Sequence, residues 1–146
     1  MPYIKVYIHF VWSTKNRKHY FDSSETRQRV WTHIRDNARA KDIFVEFIGG
    51  YADHCHCLIS FGVDQTIQKV MQLIKGESSF WINKESITND HFEWQNDYFA
   101  ISVSESMIDK VKAYIANQEA HHKIKTFQEE YKEFILKFGF QRIKDI

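Results

Sequence analysis

The apolar residues of this chain repeat with period two, then 3.6, then two, two, 3.6 and two, and that order leaves few folds open. Tyr3 to Ser13 alternates, with Ile4, Val6, Ile8, Phe10 and Trp12 on one face and Lys5, Tyr7, His9 and Ser13 on the other. β-branched and aromatic residues at that period predict a half-buried strand. A basic, polar loop follows over residues 14–19. Ser23 or Ser24 caps a helix predicted to run to about Ala40, with Val30, Ile34 and Ala38 on its apolar side and Arg27, Arg35 and Arg39 on a wetter one. Ile43 to Ile48 reads as a second strand closed by Gly49-Gly50, and His54 to Phe61 as a third, antiparallel to it.

From Gln65 the period returns to 3.6 through Ile67, Val70, Met71, Ile74 and Trp81, which predicts a helix to Asn83 or Lys84. A largely polar loop that includes residues 89–96 leads to a fourth strand, Tyr98 to Val103, with Phe99, Ile101 and Val103 on one face. Ser104-Glu105-Ser106 then opens a helix from Met107 to about His122. A last helix, Thr126 to Phe138, carries Phe127, Tyr131, Phe134, Ile135 and Phe138 as its stripe and stops at Gly139. The order β-α-β-β-α-β followed by two helices is the split βαβ, or ferredoxin-like and RRM-like, arrangement: an α+β fold with two helices on one face of an antiparallel sheet. One face of such a sheet is expected to stay open.

At 146 residues, 43% hydrophobic and 16% aromatic, the chain suits a single packed domain, residues 1–146. A net charge of +1 does not announce a nucleic-acid partner, so local clusters have to carry that argument. No apolar run approaches the ~18 residues of a membrane span, and a cytoplasmic location without membrane contact is the expectation. Cys55 and Cys57, two apart on one strand, are read as reduced, buried small residues.

The segment that bears chemistry is Asp53-His54-Cys55-His56-Cys57. Strand alternation sends His54 and His56 to one side and Cys55, Cys57, Ile59 and Phe61 to the other. Four ligands cannot then meet at one zinc, but two imidazoles about 7 Å apart at Cα can converge on one ion. On the helix after the fourth strand, Tyr114 and Gln118 stand four apart and share a face. A glutamine at the edge of an apolar stripe needs partners for its amide.

His54-Cys55-His56 resembles the His-hydrophobic-His (HUH) motif, and residues 114–118 resemble the Tyr-x-x-x-Gln helix of the single-tyrosine HUH transposases, the short TnpA-type enzymes of single-strand insertion sequences. The resemblance covers nearly the whole chain. It includes residues 9–15 with Arg17, residues 75–79, Trp94-Gln95, residues 98–100, and His121-His122 after the glutamine. Cys55 departs from the pattern, which usually carries a bulkier aliphatic there.

The resemblance implies that Tyr114 attacks a phosphodiester and that His54, His56 and Gln118 hold Mg²⁺ or Mn²⁺. It implies a single-stranded DNA substrate with hairpin ends, a homodimer in which the tyrosine helix can be exchanged across a hinge at 104–106, and no nucleotide cofactor. Lys15, Arg17 and Lys18 are the first candidate DNA-binding residues, with Lys75 and Lys69 on the second helix weaker ones. Asp53 is the candidate to orient a histidine from behind. His9, on the polar face of the first strand, lies on a path toward the site, and Tyr7 and Tyr98 are candidates to stack on bases. Two other readings share the fold: a domesticated relative that processes palindromic repeats, and a non-catalytic nucleic-acid-binding module, although the Lys/Arg-Gly-aromatic motif of RNA-recognition domains is missing.

Overall fold

A computed structural model describes residues 2–122 and 125–138. Four strands, β1 (Val6–Ser13), β2 (Phe44–Tyr51), β3 (His54–Phe61) and β4 (Phe99–Val103), form one antiparallel sheet in the order β2-β3-β1-β4. Helices α1 (Ser24–Ala40) and α2 (Ile67–Lys84) cover one face. Ser23 caps α1 by accepting from the Thr26 N–H, and Thr66 caps α2 by accepting from the Lys69 N–H. The core between helices and sheet takes Phe10 and Trp12 from β1, Cys55, Cys57 and Ile59 from β3, Val30, Trp31, Ile34 and Ala38 from α1, and Val70, Met71 and Ile74 from α2. Both cysteines are free and fully buried there.

The other face is not open. Helices α3 (Ile108–Ala116), α4 (Gln118–His122) and α5 (Phe127–Phe138) lie over it, and His54, His56 and Leu58 are wholly buried. A second, smaller core forms on this side from Val11 and Phe127, with Phe99, Ile101 and Tyr114 against it. Phe99 and Ile101 pair with Val11 and His9 across β1, so the apolar side of β4 serves this core rather than the larger one. Among the described residues no helix is long and apolar enough to cross a membrane.

Several expected boundaries move. Strand β1 starts at Val6 rather than Tyr3, and Ile4 and Val6 are exposed because the helical cover begins at Ile8. Gly49 and Gly50 do not close β2 but lie within it; the turn falls at Ala52-Asp53. Arg27 is not on a wet side of α1. It is buried, donates to the carbonyls of Phe21 (2.7 Å) and Asp22 (3.1 Å), and pairs with Glu119 of α4. The loop over 85–98 sinks two aromatics, Phe92 and Trp94, into the main core, where the Trp94 indole N–H donates to Ser78 Oγ.

The helix expected from Met107 to His122 is broken at Asn117, which leaves helical geometry (φ −94°, ψ 16°). Asparagine is a poor interior helix residue, and the Gln118 side-chain amide takes the Tyr114 carbonyl at 3.3 Å. On α5, Phe127 is buried, Tyr131 is half-buried and Ile135 is exposed. The side chains of Phe134 and Phe138 and the stop at Gly139 lie outside the described residues.

Gly49 decides how closely α3 approaches. It pairs with His56 across the sheet, and a Cβ there would stand 2.9 Å from Ile115 Cγ2 and 3.0 Å from the Ile115 carbonyl oxygen. The neighbouring Gly50 is closed to side chains for another reason: a Cβ would meet the His54 carbonyl oxygen at 2.2 Å. The missing side chain of Gly49 is therefore the space into which α3 packs. Gly49→Val should force α3 off the sheet at a cost of about 1–3 kcal/mol. Thermal denaturation should then show a melting temperature lower by roughly 2–12 °C, taking about 2–4 °C per kcal/mol for a chain near this length. A melting temperature equal to that of the parent chain would contradict the packing.

Candidate functional site

The centre of the second face is built by β3 and closed by three helices. Alternation on β3 turns His54 and His56 toward α3–α5, as expected, and both are wholly buried. Each imidazole has a partner behind it. His54 Nδ1 lies 2.8 Å from Asp53 Oδ1, and His56 Nδ1 lies 2.9 Å from His9 Nε2. Burial and the positive charge that His56 would carry hold His9 down at about 3, and burial followed by His54 holds His56 at about 4 although Glu130 opposes this. Both rings are therefore neutral at pH 7. The Asp53 carboxylate accepts the Nδ1 proton of His54, so in the neutral ring Nε2 carries a lone pair.

That lone pair faces another. His54 Nε2 is 2.9 Å from Gln118 Oε1, and the orientation of the Gln118 amide is set by its N–H donation to the Tyr114 carbonyl. His122 Nε2, also 2.9 Å from Oε1, supplies a donor to the same oxygen. Two acceptors at this distance repel unless a cation or a second proton lies between them. Among the described residues, His56 Nε2, His121 Nε2 and Glu130 Oε1 are buried without a hydrogen-bond partner; His56 Nε2 and Glu130 Oε1 stand 3.2 Å apart, off the angle of a hydrogen bond. Orphaned buried atoms of this kind are what a bound ion would satisfy. The donor set, two imidazole nitrogens and an amide oxygen with a carboxylate alongside, fits a divalent cation.

Tyr114 reaches this cluster from α3. Its ring centroid is 5.5 Å from that of His56 and 6.3 Å from that of His9. Its phenol donates a hydrogen bond to Glu130 Oε2. Burial, and after it the Glu130 charge, push the phenol well above the usual tyrosine value, so Tyr114 rests protonated.

Glu130, from α5, was not among the residues singled out in the sequence. It is 1% exposed and sits among Tyr114, His54, His56, His121 and His122. Burial works against its charge, but the imidazoles of His122 and His56 outweigh this and hold the carboxyl well below the usual range. Ligand atoms of His54, His122 and Glu130 all lie within 4.8 Å of one another. One signal pointed to Glu130: a carboxylate three residues after Phe127 and one before Tyr131, on the buried side of an amphipathic helix. Phe127 stacks on His54 at 4.3 Å, and the Arg17 guanidinium lies over the Tyr131 ring at 5.2 Å, so α5 is held against the site at two points.

The predicted DNA-binding residues lie outside this cluster. Lys15 and Lys18 are exposed and ion-paired with Glu93 and Asp90. Lys75 is half-buried, drawn down by burial to about 8, and donates to the carbonyls of Gln95 (2.6 Å) and Asn96 (3.0 Å). It also approaches the Tyr98 ring at 5.8 Å. Asp53 stands behind His54 as described. The site draws Tyr114, both histidines and Gln118 from the same chain.

Of the comparisons with known proteins, one gives the family and another the fold. No curated protein matches significantly. Among solved structures, a candidate transposase from Deinococcus radiodurans superposes with a TM-score of 0.61 at 23% identity, over 80% of this chain and 93% of that one. A REP-associated tyrosine transposase bound to a REP hairpin superposes with a TM-score of 0.60 at 15% identity, over 84% of this chain and 72% of that one. Both likenesses show the fold. The model of the IS200-like transposase family matches residues 3–118, from the first strand through Gln118, and the chain belongs to that family.

Proposed function

We propose that this chain cleaves and rejoins single-stranded DNA at insertion-sequence ends through a 5′-phosphotyrosine on Tyr114, with Mg²⁺ or Mn²⁺ held by His54, His56 and Gln118. One observation carries the reading: within one chain, the Tyr114 phenol and the Nε2 atoms of both histidines face the same buried point, with His56 3.2 Å and His54 3.8 Å from the carboxylate that accepts the phenol's hydrogen bond.

In this scheme Tyr114 Oη attacks phosphorus, and the bond from phosphorus to the 3′-oxygen breaks. The phenolic proton leaves toward its acceptor, Glu130 Oε2, and the departing 3′-oxygen takes up a proton. Because the resting phenol is held protonated, proton removal has to accompany attack. Asp53 and His9 fix which nitrogens the two histidines present. His122 and the Tyr114 carbonyl fix the Gln118 amide. A divalent ion, when bound, supplies neutralisation of charge at a non-bridging phosphate oxygen. The phosphotyrosine bond retains the energy of the broken phosphodiester, so a free 3′-hydroxyl reverses the step without a nucleotide.

Lys15, Arg17 and Lys18 would meet the DNA backbone; exposed ion pairs such as those of Lys15 and Lys18 exchange readily for phosphate. Lys75 is the weaker contact, because its ammonium is committed to two carbonyls. A second copy of the chain belongs to this reading, to hold two DNA ends together, with residues 104–106 as the hinge at which the tyrosine helix would be exchanged. A domesticated relative acting on genomic palindromes is the second reading, favoured by the hairpin on one structural neighbour. Its chemistry would be the same.

Purified protein incubated with labelled single-stranded hairpin oligonucleotides and Mn²⁺ should give a denaturant-stable protein–DNA adduct. The adduct should vanish in Tyr114→Phe, in His54→Ala and in the presence of a chelator. Cleavage that persists in Tyr114→Phe would defeat the proposal. Asp53→Ala should leave the fold intact and weaken Mn²⁺ binding by about 10–100-fold, measured by titration calorimetry. An unchanged affinity would remove Asp53 from any part in orienting His54.

A further inference from the structure

We infer that Glu130 is a fourth protein ligand of the ion, delivered by α5 to the site already formed by His54, His56 and Gln118. The inference rests on the metal-site reading above and adds to it a carboxylate that lies beyond the stretch matched by the family, residues 3–118.

The geometry divides the two oxygens of Glu130. Oε2 accepts from the Tyr114 phenol and stands 2.9 Å from His121 Nε2 and 3.6 Å from His122 Nε2. Oε1 has no hydrogen-bond partner and points between the two motif histidines, 3.2 Å from His56 Nε2 and 3.8 Å from His54 Nε2. Neighbouring ligands of an octahedral Mg²⁺ or Mn²⁺ stand about 3.0 Å apart, given bonds of about 2.1 Å. The His56–Glu130 separation and the 2.9 Å between His54 Nε2 and Gln118 Oε1 are both of this size. In each, a cation could take the place of the proton that would otherwise join the two groups.

A buried carboxylate needs a partner of opposite charge or several donors. Oε2 has its donors. Oε1, in a residue 1% exposed, has none among the described residues, and its nearest neighbours are the ring nitrogens of His56 and His54. An ion between Oε1 and the imidazoles would satisfy Glu130, His56 and the facing pair of His54 and Gln118 together. His122 is a less suitable ligand, because its Nε2 is occupied in donating to Gln118.

The same arrangement ties the ion to the nucleophile. One carboxylate would bind the cation through Oε1 while its other oxygen holds the phenol, so the position of Tyr114 follows the occupancy of the site. Four protein ligands would leave two of about six positions for phosphate oxygen and water. A carboxylate also adds a hard, negatively charged donor to a set of neutral ones, which strengthens binding of hard divalent ions.

The test is Mn²⁺ binding to the full chain without DNA, read by calorimetry and by the electron paramagnetic resonance signal of free Mn²⁺, for the parent chain, Glu130→Gln, Glu130→Asp and His54→Ala. Glu130→Gln keeps the shape of the side chain, and its metal-free melting temperature reports whether α5 stays docked. The expected result is Mn²⁺ affinity about tenfold or more weaker in Glu130→Gln, with partial recovery in Glu130→Asp and loss of binding in His54→Ala. Affinity within twofold of the parent in both Glu130 variants, with His54→Ala still defective, overturns the inference and leaves the metal site of the proposed function standing. A higher adduct yield in Glu130→Gln at unchanged Mn²⁺ affinity likewise overturns it, by making the carboxylate an obstruction. Undiminished binding in His54→Ala would instead bring down the site on which the inference rests.

Discussion

The site depends on one short contact between two acceptors. His54 Nε2 and Gln118 Oε1 are held 2.9 Å apart in a place without water access, and neither can turn away. Asp53 claims the other nitrogen of His54, while His122 and the Tyr114 carbonyl claim the remaining capacity of the glutamine. With His54 neutral two acceptors meet there, and either a proton or a cation between them completes the contact. Around it the same logic recurs: His9 behind His56, an orphaned Nε2 in front, and an orphaned carboxylate oxygen opposite.

These frustrated contacts are stabilised by ordinary packing a few ångströms away. Gly49, directly across from His56, removes the side chain that would keep α3 at a distance, so Ile115 seats against the strand and carries Tyr114 with it. Arg27 reaches from α1 past the end of the sheet to Glu119, which holds α4 from the far side. Phe127 covers the ring of His54 and docks α5. The apolar contacts therefore fix the distances at which polar groups face one another, and the electrostatics of the site follow from backbone proximity.

Much of this was legible in the sequence because it rests on local periodicity. The strand and helix order, the opposite faces of His54 and Cys55, the burial of both cysteines and the shared side of Tyr114 and Gln118 all follow from the repeat of a strand or a helix. Reading went astray where burial depends on what arrives from elsewhere in the chain. Arg27 looks exposed on a helical wheel but finds two carbonyls inside and a carboxylate at the surface. Gly49-Gly50 has the composition of a turn, yet serves as a gap in a strand. Phe92 and Trp94 lie in a stretch polar enough to pass for a surface loop, and they enter the core.

The sequence by itself determined which residues point together along each element: two imidazoles two apart on a strand must share a face, and Tyr114 and Gln118, four apart, share a side that the break at Asn117 does not undo because the Gln118 amide holds the Tyr114 carbonyl. Those relations need only the pitch of the backbone. Tertiary structure alone decided that the histidine face is covered rather than open, that the tyrosine helix packs over its own chain's histidines, and that Glu130 arrives at their centre. Each is a meeting of residues distant along the chain, and a meeting of that kind depends on the summed packing of every intervening element, which no local pattern records.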